Sequence, residues 1–416
     1  MSKRGTWFLS LLITILFVSC AGKNTFAEEI SLEEAVQKAL ANNLELQAFR
    51  KRFEEAKGDL TKARYLLPSN PSLESKMAQR NIAKENRITT DYMFSLSQEF
   101  FIAGQRGKRI SVAEKNMEKV SAEIETLEWD ITARVKKNFY EILALKKIME
   151  ARQAIMQLYE RLRDAMGLKY KEGASTILEL NTANIQYSRA RKEYQAASGR
   201  YKSSLLGLKL LLALPQDYPI EPTGEIKYGP LRPDLPGLLR WALETRPDIR
   251  AAERELERVD REIDFIKSLR VSNPLISGFV GREEGNQRIA GGFVSIPIPA
   301  VDRKQGELQR TRATKEAARL TLENKHLQTR KEVQSAYEIF IASQNGLEAY
   351  EGVVPEMEES LKLNEITYTE GKVGFIEFVL LQNNIIEAKV SYLETLLGYY
   401  QAIVDLERAA TKKLIE

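Results

Sequence analysis

The chain is written twice. Offset by 203 positions, Ser31–Leu73 lies over Asp234–Ile276 without a gap, so that Leu32 meets Leu235, Ala39 and Leu40 meet Ala242 and Leu243, and Ser69, Asn70 and Pro71 meet Ser272, Asn273 and Pro274. Offset by 198, Leu96–Leu208 lies over Val294–Leu406, and Tyr170, Glu172, Gly173 and Glu179 meet Tyr368, Glu370, Gly371 and Glu377. Repeats must be settled before a fold is assigned, and a unit of about 200 residues is too long for a solenoid. It is a duplicated half. The halves are 31–214 and 235–412, joined by a linker, 215–234, whose Pro215, Pro219, Pro222, Pro230 and Pro233 make it an extended connector. The change of offset places the only length difference between them after each Ser-Asn-Pro.

Composition narrows the function. The 62 Lys and Arg are nearly matched by 58 Asp and Glu, and the signs are interspersed along every segment. A nucleic-acid binder concentrates basic charge on one face, so that class is set aside. At the N-terminus Lys3 and Arg4 precede the apolar run Trp7–Val18, and the small residues Ser19, Cys20, Ala21 and Gly22 follow it. That order is a secretory signal, residues 1–27, and the run is too short for a comfortable membrane span. Cys20 is the only cysteine, so no internal disulfide is possible. Phe17-Val-Ser-Cys-Ala21 resembles a bacterial lipobox, which makes Cys20 a lipidation candidate; the alternative is cleavage after Ala27.

Beyond residue 28 no apolar run is long enough for a transmembrane helix. Most of each half reads as helix. Ile177, Leu180, Tyr187, Tyr194, Tyr201, Leu205, Leu208 and Leu212 recur at sums of three and four, and Phe375, Phe378, Ile385, Tyr392, Leu396, Tyr399, Ile403 and Leu406 repeat the phase. A sustained seven-residue repeat specifies coiled-coil packing. Long helices are expected over about 104–166 and 174–213, and over about 304–364 and 373–411; Arg106–Met166 and Lys304–Asn364 each suit one rod of about 60 residues, about 90 Å at the helical rise. Between the short and long helices the texture changes. Ser72–Met77 and Thr90–Phe100 alternate, with Tyr92, Phe94 and Leu96 opposite Asp91, Ser95 and Ser97; Leu275–Gly281 and Ile289–Ile298 answer them in the second half. Period-two alternation over about ten residues marks a barrel strand. Strands are therefore expected within 72–100 and 274–298, four per chain. Four strands cannot close a barrel, for which about eight are needed, so several chains must combine.

This order of short helices, strand pair, long helix, tight Gly turn and long helix, all duplicated, resembles the TolC-type outer membrane factors of Gram-negative bacteria over residues 31–412. The stretch Phe94–Arg109, containing Gly104-Gln-Arg-Gly-Lys-Arg109, and the paired Asn-Pro look most like the heavy-metal branch that serves cobalt, zinc and cadmium resistance. The resemblance implies a mainly α fold with a small membrane β-barrel contribution: a homotrimer with a twelve-stranded barrel in the outer membrane and an α-helical coiled-coil barrel in the periplasm. It implies no catalysis and no cofactor. The implied function is the exit duct of a tripartite efflux system, passing heavy-metal cations from an inner-membrane pump of the resistance-nodulation-division type through a periplasmic adaptor. Drug efflux and type I secretion use the same fold. A periplasmic adaptor would carry one helical hairpin between lipoyl-like halves, and a coiled-coil scaffold would not need two strand pairs.

Within the resemblance, the turns at Gly173 and Gly371 lie at the periplasmic tip. Glu377 matches the constricting acidic ring, and Glu179 the residue that tethers the neighbouring turn through its tyrosine, here Tyr368; Tyr170 is its counterpart. The family's arginine two places after the second Gly is Val373 here, with Lys372 one place earlier, and the second acid of the ring is Leu380. The glycines also suit plain helix C-termini. Gly104–Arg109 lacks the spacing of a phosphate loop. It reads as a strand-to-helix passage whose Arg106, Lys108 and Arg109 reach lipid headgroups or solvate the neck. His326 is the only histidine, too few ligands for a metal site.

Overall fold

The computed structural model describes residues 28–82, 87–283, 287–350 and 352–415. The signal sequence and Cys20 lie outside them. The first half runs β1 (Glu28–Ile30), α1 (Leu32–Asn42), α2 (Leu44–Ala63), β2 (Ser72–Ile82), β3 (Arg87–Glu99), α3 (Gln105–Lys171) and α4 (Ile177–Leu211). The linker supplies β4 (Ile220–Pro222), and the second half runs α5 (Leu235–Thr245), α6 (Pro247–Ser268), β5 (Leu275–Glu283), β6 (Gln287–Ser295), α7 (Gln305–Glu348), α8 (Val353–Thr369) and α9 (Phe375–Ala410). No described helix is apolar enough to cross a membrane.

The repeats keep their links while exchanging the chemistry. Ser31 closes a capping box with Glu34 at the start of α1, and at the matching position Asp234 accepts the Gly237 amide. Asn43, between α1 and α2, donates to the Leu211 carbonyl at 3.0 Å; Arg246, between α5 and α6, donates to the Ala409 carbonyl at 2.9 Å. Both tie the short helices to the end of their own half's last helix. Around this level lies the main core, with Phe139, Ile142, Leu208, Phe340, Leu396 and Leu406. The proline-rich segment between the halves pairs and packs: β4 runs parallel to β1, and the Gly229 and Lys227 carbonyls accept the hydroxyls of Tyr399 and Tyr400.

Two expectations about the rods need correction. The second is not one helix. α7 ends at Glu348, and α8 starts after Gly352, whose φ of 88° is left-handed. Pro355 then sits in the first turn of α8, where its missing N–H would have had no helical partner anyway. In α4 the expected track is buried only at its end, at Leu208 and the following Leu212; before that the buried line is Ala183, Ala190, Ala197 and Ser204, seven apart, with Tyr187, Tyr194 and Tyr201 half-buried beside them. Small residues let α4 approach α3 closely.

The strands form one antiparallel sheet in the order β2-β3-β5-β6. Leu73, Met77, Phe94, Leu96, Ile276, Val280 and Val294 share one exposed face. The opposite face carries Glu74, Lys76, Ser95 and an Arg80–Asp91 pair at 2.8 Å, and Ser97 and Ser277 share a hydrogen bond at 2.7 Å. That second face is polar in β2 and β3 but also carries Phe279 and Phe293, ring centroids 6.5 Å apart; one apolar and one largely polar face is the alternation of a membrane barrel.

The passage from sheet to helix corrects two further expectations. It takes residues 100–104 in the first half and 296–304 in the second, so the hairpins are not the only place where the halves differ in length. Arg106 and Arg109 are engaged by backbone carbonyls of their own chain. Arg106 donates to the Arg64 carbonyl, and Arg109 to those of Ala63 and Tyr65, neutralising the C-terminal end of α2.

Candidate periplasmic aperture

At the end of α3 far from the sheet, both hairpins close with the same turn. Gly173 and Gly371 each have φ of 73°, a left-handed conformation that glycine adopts at little cost. The Gly173 amide donates to Tyr170 O at 3.1 Å and Ala174 to Lys169 O at 2.8 Å; Gly371 donates to Tyr368 O at 3.0 Å and Lys372 to Thr367 O at 2.9 Å. This is the Schellman pattern, which satisfies the last helical carbonyls. The two tips pack on one apolar cluster built from Ile155, Tyr159 and Met166 of α3, Ala183 of α4 and Phe375, Phe378 and Val379 of α9.

The duplication breaks at the two acids. Thr176 caps α4 and forms a capping box with Glu179: the Thr176 amide, Thr176 hydroxyl and Ser175 hydroxyl donate to Glu179 Oε2 at 2.8, 3.0 and 2.9 Å. The Thr176 amide first, then the two hydroxyls, hold the Glu179 carboxyl below its ordinary range. At the matching places stand Gly374 and Val373, so α9 has no side-chain cap. Glu377 is exposed, and among the described residues it makes no hydrogen bond or ion pair within its own chain. Leu380, one turn further along α9, is 63% exposed.

Tyr368 stacks on Phe378, ring centroids 4.6 Å apart, and leans on Phe375. Burial raises its pKa, and the charge of Glu179 adds to the rise. The two groups feel each other without a hydrogen bond between them among the described residues. Lys372 pairs with Glu370 in its own turn at 2.6 Å, an exposed pair of little energetic weight. Tyr170 is 42% exposed. Val373, where the resembled family has arginine, joins the apolar cluster. Among the described residues no three His, Cys, Asp or Glu gather as metal ligands.

The model of the outer membrane efflux protein family matches residues 35–214 and 238–411, one segment for each half. The chain belongs to the outer membrane efflux protein family. It is 24% identical over 384 residues to the cobalt-zinc-cadmium resistance protein CzcC of Cupriavidus metallidurans, covering 92% of this chain and 90% of that one. Its fold is that of the CmeC outer membrane channel of Campylobacter jejuni, with a TM-score of 0.74 at 16% identity over 92% of this chain and 87% of the other. It is equally that of CusC, with a TM-score of 0.70 at 16% identity over 93% of each chain. As a member of this efflux family the chain is an outer-membrane channel that extends into the periplasm, not an enzyme. The sequence expectation of a mainly α, TolC-type fold with a small strand contribution is thereby met.

Proposed function

We propose that three copies close into the exit duct of a tripartite efflux system, and that its cargo is heavy-metal cations. One observation carries the assembly. In a single chain both layers are open, and on the same two sides. The sheet ends at β2 and β6. The helices run α7/α8, α9, α3, α4 at the tip end and α7, α6, α3, α2 nearer the sheet. One side of the chain thus presents β6, α7 and α8, and the other β2, α2 and α4. A head-to-tail contact between these sides closes a ring when the rotation permits. An unclosed sheet would expose backbone groups to lipid at several kcal/mol each. Three copies give twelve strands.

The metal cargo rests on the CzcC likeness and on Glu377, an unpaired acid on an exposed face of α9 near the tip. A ring of such carboxylates attracts cations. In this reading Gly173 and Gly371 turn the hairpins, Glu179 and Tyr368 link neighbouring turns, and the tip meets a periplasmic adaptor and a resistance-nodulation-division-type pump. Fractionation tests the assembly. Heat-resistant trimers in the outer membrane support it, and a soluble periplasmic monomer overturns it. Deleting Thr90–Phe100 should abolish insertion. Loss of the coding region should sensitise cells to cobalt, zinc or cadmium; unchanged metal tolerance with altered drug tolerance would reassign the cargo.

A further inference from the structure

Above the tip, the apolar seam between the halves is interrupted by two polar rungs. In the first, Tyr159 of α3 donates its hydroxyl to Asn383 Oδ1 at 2.8 Å, and Asn383 Nδ2 donates to Gln186 Oε1 of α4 at 3.2 Å. In the second, Arg152 of α3 forks onto Glu387 of α9, Nη1 to Oε1 at 3.0 Å and Nη2 to Oε2 at 3.1 Å. Arg152 Nη1 also meets Glu193 of α4 at 2.8 Å. Asn383 and Glu387 are one turn apart on α9, while Tyr159 and Arg152, and likewise Gln186 and Glu193, are seven residues apart on their own helices. Each rung therefore joins the same three helices.

The rungs are well placed to act on the tip. Asn383 and Glu387 lie six and ten residues from Glu377 on one uninterrupted helix, about 9 and 15 Å at the helical rise. The α8–α9 hairpin is separated from α7 by the left-handed Gly352, whereas α3 continues unbroken through the matching Ala154. Asn364 of α8 donates to Phe378 O at 3.1 Å and to Gln382 Oε1 at 3.0 Å and so binds α8 to α9, and the rungs bind that hairpin to α3 and α4. Arg152 is only 13% exposed, and a bidentate fork fixes direction as well as distance.

We propose that Arg152–Glu387 and Tyr159–Asn383–Gln186 form a clasp between the halves that positions α9 and thereby holds the Glu377 aperture narrow. The clasp rests on the aperture reading given above. Glu387 and Glu193 share one arginine, which allows a controlled comparison. Glu387→Gln removes the grip between halves and leaves Arg152 paired with Glu193. Glu193→Gln removes a link inside the first hairpin and leaves the clasp intact.

The experiment is single-channel recording of purified trimers in planar bilayers, on variants that still yield heat-resistant trimers. Glu387→Gln is expected to raise open probability about fivefold, the shift that a coupling of about 1 kcal/mol produces. Glu193→Gln should leave it unchanged. Asn383→Leu, which alters no charge, is the second variant and should act in the same direction as Glu387→Gln. Equal effects of Glu387→Gln and Glu193→Gln, or none from Glu387→Gln and Asn383→Leu, would overturn the clasp. If Glu377→Gln still lowers cation selectivity in that case, the aperture reading stands alone. Unaltered selectivity in Glu377→Gln would remove the aperture, and the clasp with it.

Discussion

Glu179 and Glu377 hold the same place in the two repeats, third residue of α4 and of α9, yet only Glu179 is bound by its own turn. One carboxylate is a helix cap, and the other stands on the exposed face of α9. The pair predicts opposite phenotypes. Glu179→Ala should destabilise the α4 start by about 1 kcal/mol and lower the melting temperature, as loss of a capping partner does. Glu377→Gln should leave melting unchanged and reduce cation selectivity. Circular dichroism melts and reversal potentials across a potassium chloride gradient separate them; equal melting losses would show that Glu377 is also structural.

Glu179 keeps one oxygen outside the capping box, because the three donors converge on Oε2. Tyr368 is close enough for Glu179 to raise its pKa after burial has done so. If their link forms in the closed trimer, Tyr368→Phe should raise open conductance while preserving the stack on Phe378. The same change in a Glu179→Gln background should then add nothing. Additive effects in this double-mutant cycle would show that the two groups act independently.

The large features were legible because they depend on short-range pattern. Two long ungapped offsets, 203 and 198, exposed the duplication, φ-permissive Gly173 and Gly371 marked the hairpin ends, and alternation around Phe94 marked the strands. What stayed hidden depends on contacts distant in sequence. Pro355 was visible in the second rod, but the break lies before it, at a left-handed Gly352 that an α-helix could equally have absorbed. Arg106 and Arg109 read as meeting lipid headgroups or solvating the neck because nothing local shows that the α2 carbonyls end beside them. The capping box of Glu179 was readable from Ser175-Thr176, and its absence at Val373-Gly374 was the signal that the two acids differ.

Gln105 is fully buried at the neck. Its amide nitrogen donates to Asn273 Oδ1 at 3.0 Å and to Val271 O at 3.2 Å, and its oxygen accepts the Ala103 amide at 2.7 Å. Gln305 repeats only the local bond, to the Arg303 amide, and reaches back to Val301 O. Gln105→Leu should therefore cost about 1–3 kcal/mol by orphaning buried polar groups of both halves, and Gln305→Leu much less. Trimer yield and urea midpoints check the order; equal losses would mean that the cross-half bonds carry no stability.

The last prediction concerns acid. Arg246 and Asp248 are nearly buried at the start of α6, joined at 2.9 and 2.8 Å, with Glu332 at 2.8 Å from Arg246 and Lys325 at 3.5 Å from Asp248. Burial alone would raise the Asp248 pKa, but the hydrogen bond and charge of Arg246, helped by Lys325, lower it from an ordinary 3.8. A carboxyl depressed in the folded state contributes stability that is complete above its ordinary value and fades as pH falls through its folded value. Asp248→Asn should cost about 2–3 kcal/mol at pH 7, since a nearly buried guanidinium loses its charged partner. Below about pH 3.8 Asp248 takes up its proton in the unfolded chain before it does in the folded one, so the gap should narrow, while carboxylates away from the Arg246 site titrate alike in both proteins and cancel. Melting of detergent-solubilised protein at pH 7 and pH 3 measures the gap twice. An unchanged gap would show that Asp248 acts through shape and hydrogen bonding alone, with its charge contributing nothing to the Arg246 site.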